Sequence, residues 1–246
     1  MPNTMSLESS PSSCSRSLLS RHGSLTSATV GIFLLLVLCQ TLSPVRALNI
    51  VIPGGTGKLG NRLIPKLQDH DVVVLSRNAY LASAPARVTE VFGYLGASFL
   101  RKHPNVRIRD WDAGDLLDIV GQDFLGWQED ALKGADVVVH LVGGYTQQRE
   151  MATERLVRES LRVNKDALQI TVNPKEEEIP ILSPGMVTLK TKRIKDCESM
   201  VRENCLYTSC LRLEANRDEE ACEEICNAIA AWEKQKAQSS SEATGE

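Results

Sequence analysis

The segment IVIPGGTGKLGNRL, residues 50 to 63, constrains this chain more than any other stretch. An apolar, β-rich run stops at four glycines within seven positions, then resumes as Leu59, Leu63, Ile64 and Leu67, an apolar spacing that predicts a helix. Strand, glycine turn and helix in that order build a cradle for phosphate. In the spacing Gly54-x-x-Gly57-x-x-Gly60, one glycine serves a tight turn of positive φ, one lets the backbone approach a pyrophosphate, and one lets the helix pack close. The free N–H groups at the helix start then face the anion. Pro65 falls past the first turn and is expected to kink that helix.

The next strand, DVVVLSRN, arrives roughly 20 residues beyond the glycines, the spacing of a βαβ unit. At such a strand end an acid binds the ribose 2′-hydroxyl of NAD, whereas an arginine accommodates the 2′-phosphate of NADP. This strand ends in Ser76-Arg77-Asn78, so Arg77 is assigned to the 2′-phosphate, with Lys58 as a second cation, and NADP(H) is favoured over NAD(H). Further on, APARVTEVFGYLGASFLRKH reads as an amphipathic helix weakened by Gly93 and Gly96. NVRIRDWDAGD reads as a third strand, and ADVVVHLVGGY contains a fourth. Strands alternating with helical patterns predict an α/β fold, a Rossmann-like three-layer sandwich with a mostly parallel, doubly wound sheet.

Through residues 48 to about 145 these motifs resemble the extended or atypical short-chain dehydrogenase/reductase superfamily, within its NAD-dependent epimerase/dehydratase-like group. The resemblance implies that the acid after the third strand, Asp112, lies near the adenine. It also implies that the end of Asp136 to Gly143 lines the nicotinamide ribose, with Val142 in place of the usual alanine. The cofactor-binding set is therefore Gly54, Gly57, Lys58, Leu59, Gly60, Arg77, Asp112, Val142 and Gly143. Past this point MATERLVRESLRVN suits an exposed helix whose charges form a solvated face, and ALQITVNP reads as a fifth strand. A helix and strand ending in Arg212 follow, and then a helix over 217 to 235. Compared with full-length family members the chain is C-terminally shortened.

The family's reductases and epimerases use a Tyr-x-x-x-Lys pair, in which the lysine lowers the tyrosine pKa for proton exchange with a carbonyl substrate. No such pair occurs here: Tyr80, Tyr94, Tyr145 and Tyr207 are followed four places on by Ala84, Ser98, Arg149 and Leu211. Where the pair belongs stand Thr188-x-x-x-Lys192 and Thr191-x-x-x-Lys195, and a threonine hydroxyl is far too weak an acid to replace a phenol. The serine expected at the fifth strand end is Asn173, unless the strand lies later and Ser183 serves. Two readings stand. One is a sensor or regulatory module that binds NADP(H) without the relay. The other is an NADPH-dependent reductase or epimerase-like enzyme with Tyr145 as acid and Lys195 as its helper, acting on a small carbonyl or nucleotide sugar.

Composition excludes several other classes. A net charge of −3, with KTKRIK at 190 to 195 as the densest basic stretch, supplies no field for nucleic acid. Residues 1 to 47 read as a targeting leader: ten serines and a single acid before position 28, an apolar run from Ala28 to Leu42, and Val45-Arg46-Ala47 as a cleavage site. Fifteen apolar residues fall short of the roughly 20 that span a bilayer, so an uncleaved leader is the one route to a membrane. Such a leader directs a chain into the secretory or endomembrane route, or, as a bipartite signal, to a plastid or other organelle. Residues 48 to 235 form the domain, and the polar stretch 236 to 246 reads as a disordered tail. Five cysteines lie beyond the leader, an odd number without CxxC, so neither a metal site nor a disulfide framework is expected. Cys222 and Cys226 share a stripe with Ile225, Ile229 and Trp232 as core residues of the last helix.

Overall fold

A computed structural model describes residues 47–85, 95–111, 113, 126–144, 146–175, 184–214 and 217–243. The leader lies outside the described residues. Six strands form one sheet: β1 (Asn49–Pro53), β2 (Asp71–Ser76), β3 (Val106–Asp110), β4 (Val137–His140), β5 (Leu168–Pro174) and β6 (Thr208–Leu213). Their order is β3-β2-β1-β4-β5-β6, and every neighbouring pair is parallel. The sheet is thus wholly parallel, and its order is that of the doubly wound Rossmann fold, with the chain reversing direction between β1 and β4.

The apolar runs read in the sequence are what such a sheet requires. Ile50, Val51 and Ile52 are all fully buried because helices cover both faces of a central parallel strand. On one face Ile50, Ile52, Val72, Val74, Val137 and Val139 meet Leu63 and Ile64 from α1 (Lys58–Leu63) and its extension, and Ile225, Ile229 and Trp232 from the last helix. The other face carries Val51, Val73, Leu75 and Val138 against Trp127, Ala152 and Leu156. There Trp111 and Trp127 meet edge-on, with ring centroids 5.4 Å apart.

The helices follow local chemistry, with some departures from expectation. Pro65 does not kink a continuing helix. Instead α1 stops at Leu63, and Pro65 sits in a 3-10 turn over Ile64–Lys66, where a missing N–H costs little. A four-residue α2 (Ala79–Ala82) is capped by Asn78, whose side chain accepts a hydrogen bond from the Leu81 N–H at 2.9 Å. Residues 86–94 of the expected amphipathic helix lie outside the described residues, and α3 (Gly96–Lys102) is its remainder, opening on Gly96 at φ +78°.

The charged helix α4 (Gln147–Val163) corrects the reading of a solvated face. Arg149, Arg155 and Glu159 are buried, because polar residues of β4 and β5 lie beneath this helix: His140, Gln169, Thr171 and Asn173. A long α5 (Pro184–Asn204) precedes β6, and α6 runs from Asp218 to Ala243. The expected disordered tail is therefore helical over 236–243. Lys236 pairs with the buried carboxylate of Asp136, which also accepts the Asn49 N–H at 2.9 Å. Among the described residues no helix is long and apolar enough to cross a membrane.

Candidate functional site

At the carboxyl ends of the strands, where β1 and β4 diverge, the surface opens into two adjoining clefts. Gly54 and Gly57 from the glycine turn and Leu141, Val142 and Gly143 from the β4 end line both, forming the seam between them. The larger, of about 650 Å³, extends toward β2 and β3 and takes in Thr56, Ser76, Arg77, Asn78, Trp111, Thr146 and Gln148. The smaller, of about 250 Å³, extends toward β5 and is completed by Lys58, Leu59, Gly60, Arg149 and Val172. Eight of the nine predicted cofactor residues thus line this double cleft; the ninth, Asp112, lies outside the described residues, between Trp111 and Ala113, which both line it.

Each predicted glycine carries a separate constraint. Gly54 adopts φ +75°, and a Cβ there would stand 2.7 Å from the Leu141 carbonyl oxygen, so only glycine lets the turn lie against the β4 end. At Gly60 a Cβ would meet the Gly55 oxygen at 1.9 Å, and glycine is required for helix to rest on turn. Gly57 differs: its φ is −78°, and among the described residues beyond its chain neighbours a Cβ would meet only the Gly54 oxygen, at 3.7 Å. The protein itself leaves room for a side chain at Gly57, and that room is cleft. No side chain caps α1, and no acid stands in its first turn.

On the β2 side the Ser76-Arg77-Asn78 turn is tied at both ends. The Asn78 N–H donates to Ser76 Oγ at 3.3 Å, and the Ala79 N–H donates to Asp110 Oδ1 at 2.6 Å. Arg77 is thereby set at the mouth of the larger cleft. Lys58 is engaged differently from expectation: its ammonium lies 2.6 Å from Asp218 Oδ2 at the start of α6, which ties α1 to the last helix.

On the β5 side the sequence reading missed the residue that organises the wall. Arg149, nearly buried near the start of α4, donates from Nη2 to the Val172 carbonyl at 3.0 Å and to Asn173 Oδ1, and from Nη1 to the Gly144 carbonyl at 3.4 Å. Asn173 donates in turn to Glu198 Oε1 at 2.8 Å, and Glu198 lies 2.7 Å from Arg212 Nη2. Burial raises the Glu198 pKa, but Arg212 and Asn173 outweigh it and hold the carboxyl below its ordinary value. β5 ends at Pro174, so Asn173 occupies the strand end and turns into this network, leaving Val172 to line the cleft. Ser183 lies outside the described residues.

Of the two predicted catalytic residues, Tyr145 also lies outside the described residues. Lys195 is on the exposed side of α5 and lines neither cleft. His140 is close in sequence to the cleft but serves the layer under α4. It is fully buried, its Nε2 is 2.9 Å from Gln169 Oε1, and burial, with the charge of Arg149, pushes its pKa down to about 4. Burial likewise raises the thiols of Cys197 and Cys226, and those of Cys205 and Cys222 to about 11, so these four are poor nucleophiles. Among the described residues no His, Cys, Asp and Glu cluster could hold a metal.

Trp111 and Leu141 could have been found from the rule that ligands gather beyond strand ends, since each follows its strand directly. Arg149 had no such signal, because Val172 and Asn173, which take its Nη2 hydrogens, lie 23 and 24 residues further along.

No protein-family model and no curated protein matches the chain. Similar solved structures include one described as a short-chain oxidoreductase from Thermus thermophilus, at 17% identity and TM-score 0.48, covering 74% of this chain and 95% of that one. Another is NmrA, a negative transcriptional regulator solved with NADP, at 14% identity and TM-score 0.44, covering 67% of this chain. A third is an NADPH-dependent quinone oxidoreductase from Escherichia coli solved with NADPH, at 19% identity and TM-score 0.43, covering 66% of this chain. The chain spans 45% and 48% of the latter two.

Proposed function

We propose that this chain is an NADP(H)-binding module of the extended or atypical short-chain dehydrogenase/reductase type, acting as a sensor or regulatory domain rather than through a Tyr-x-x-x-Lys relay. The observation that carries the reading is Gly57, a glycine that the protein's own packing does not require, standing at the seam of a cleft at the β1/β4 switch point. A missing Cβ there makes sense as space kept for an occupant. In this reading Gly54 and Gly60 hold the turn, the α1 N–H groups and Gly57 backbone meet the pyrophosphate, and Arg77 meets the 2′-phosphate. Trp111 and Ala113 would flank the adenosine, and Val142 and Gly143 the nicotinamide ribose.

The bound dinucleotide would supply hydride chemistry, but a reductase also needs a positioned proton donor. The described residues of the smaller cleft offer Lys58 and Arg149 as their ionisable groups, and an arginine does not give up its proton near neutral pH.

The test is a titration of NADPH and NADH against wild type and Arg77→Asp, together with NADPH oxidation over a panel of aldehydes, ketones and nucleotide sugars. NADPH is expected to bind more tightly to wild type, and Arg77→Asp to reverse the preference, since each charge-assisted contact to the 2′-phosphate contributes about 1.5–3 kcal/mol. Oxidation is expected to stay at background in wild type and in Tyr145→Phe. Turnover of one carbonyl at about 1 per second, lost in Tyr145→Phe, would make the chain an enzyme. Equal binding of both dinucleotides before and after the exchange would remove Arg77 from the site.

A further inference from the structure

The larger cleft has one wall that the sheet does not hold. β3 ends at Asp110, and Trp111 and Ala113 line the cleft as chain already outside the strand. Trp111 is fixed twice: its N–H donates to the Ser76 carbonyl at 3.1 Å, and its ring meets Trp127 edge-on. Ala113 is buried with that pair, and its carbonyl accepts a hydrogen bond of 2.7 Å from Gln148 Nε2, in the first turn of α4. Gln148 lines the same cleft. Two segments 35 residues apart in sequence are thus joined in its wall.

Ala113 is also where the backbone is strained. Its φ is +52°, and the other four described residues of positive φ are all glycines. A Cβ disfavours the left-handed region, so an alanine keeps it only where its surroundings impose it, and such positions gather where ligands are gripped. The contact that grips the backbone here is the Gln148 amide, which binds a main-chain oxygen and so acts whatever side chain position 113 carries.

We propose that Gln148 is a positioning residue for the adenine half of the dinucleotide, acting through Ala113: it holds the backbone after β3 in the conformation that shapes the adenosine end of the larger cleft. The inference rests on the dinucleotide reading, which seats the adenosine against Trp111 and Ala113. Without the amide, Ala113 relaxes toward negative φ, the fraction of molecules with a competent wall falls, and the apparent affinity falls with it.

The experiment titrates NADPH, and adenosine 2′,5′-bisphosphate as its adenine half alone, against the full chain carrying Gln148→Ala, Ala113→Gly, both or neither. In the wild-type background Gln148→Ala is expected to weaken both ligands by the same factor, about tenfold, the scale on which an alanine disfavours positive φ. In the Ala113→Gly background the same exchange should weaken them by no more than about threefold, because glycine adopts positive φ without help. This difference separates positioning from contact, since an amide that touched the ligand would be missed equally in both backgrounds. Gln148→Met, which keeps the length of the side chain and removes the amide, should repeat the result and serves if Gln148→Ala does not fold.

Unchanged affinities in Gln148→Ala overturn the inference. So does a loss of NADPH affinity that adenosine 2′,5′-bisphosphate does not share, or an equal loss in the two backgrounds. A wild-type chain that binds neither ligand would instead sink the dinucleotide reading, and this inference with it.

Discussion

At Gly60 an added Cβ would fall 1.9 Å from a backbone oxygen, while at Gly57 the nearest described atom beyond the adjoining residues would be 3.7 Å away. The same substitution should therefore act in opposite ways three residues apart. Gly60→Val is expected to lower the melting temperature of the ligand-free protein by about 10 °C or to prevent folding, because a backbone clash must be relieved by moving α1. Gly57→Val is expected to leave it within about 2 °C and to abolish stabilisation by NADPH. Melting curves of both variants, with and without NADPH, check the pair. His140 carries a second prediction. Its pKa of about 4 in the fold lies below the ordinary 6.5, so between those values the unfolded chain takes up a proton that the native chain refuses. Stability should fall as pH drops below 6.5, by about 2 kcal/mol at pH 5 from this group. Urea melts at pH 7.5 and 5 should show a smaller loss in His140→Gln. The glycines were legible in the sequence because local backbone geometry dictates them. The setting of Arg149 was not, because it is made by carbonyls brought in from β5.

Among the elements, the first five strands were legible as short apolar or β-branched runs between turns, whereas β6, TSCLRL, was placed only through the family resemblance. Two helices were misread, for separate reasons. Glu and Arg at helical spacing look the same in solvent and over a polar sheet face, so only Gln169, His140 and Asn173 beneath α4 reveal its burial. The end of α6 has the composition of a loose tail, yet it is held because Lys236 reaches Asp136 at the foot of β4. Asp136 is only 5% exposed, so Lys236→Met should leave a buried carboxylate short of a partner, at a cost of about 1–3 kcal/mol in urea melts. Adding Asp136→Asn should recover most of that loss, because the stranded charge is gone. A cost below about 0.3 kcal/mol would mean that the last turns of α6 contribute nothing to the fold.

For the whole molecule, the wholly parallel order β3-β2-β1-β4-β5-β6 makes the cleft a product of topology, since strands distant in sequence must separate at one point and leave a gap above it. That gap could be located from the sequence once the first strand and its glycines were read. The contents of its β5 wall could not, because they depend on how far the last third of the chain folds back. The same folding back has a consequence in time. The face bearing Ile52, Val72 and Val74 exists once β2 is made, yet Ile225, Ile229 and Trp232, which seal it, come about 150 residues later. At a synthesis rate of about 5–20 residues per second, the emerging chain carries an apolar surface covered only in part, by Leu63, Ile64 and Leu67, for roughly eight to thirty seconds on the ribosome. During that interval a chaperone, rather than α6, is the natural cover for the first half of the sheet.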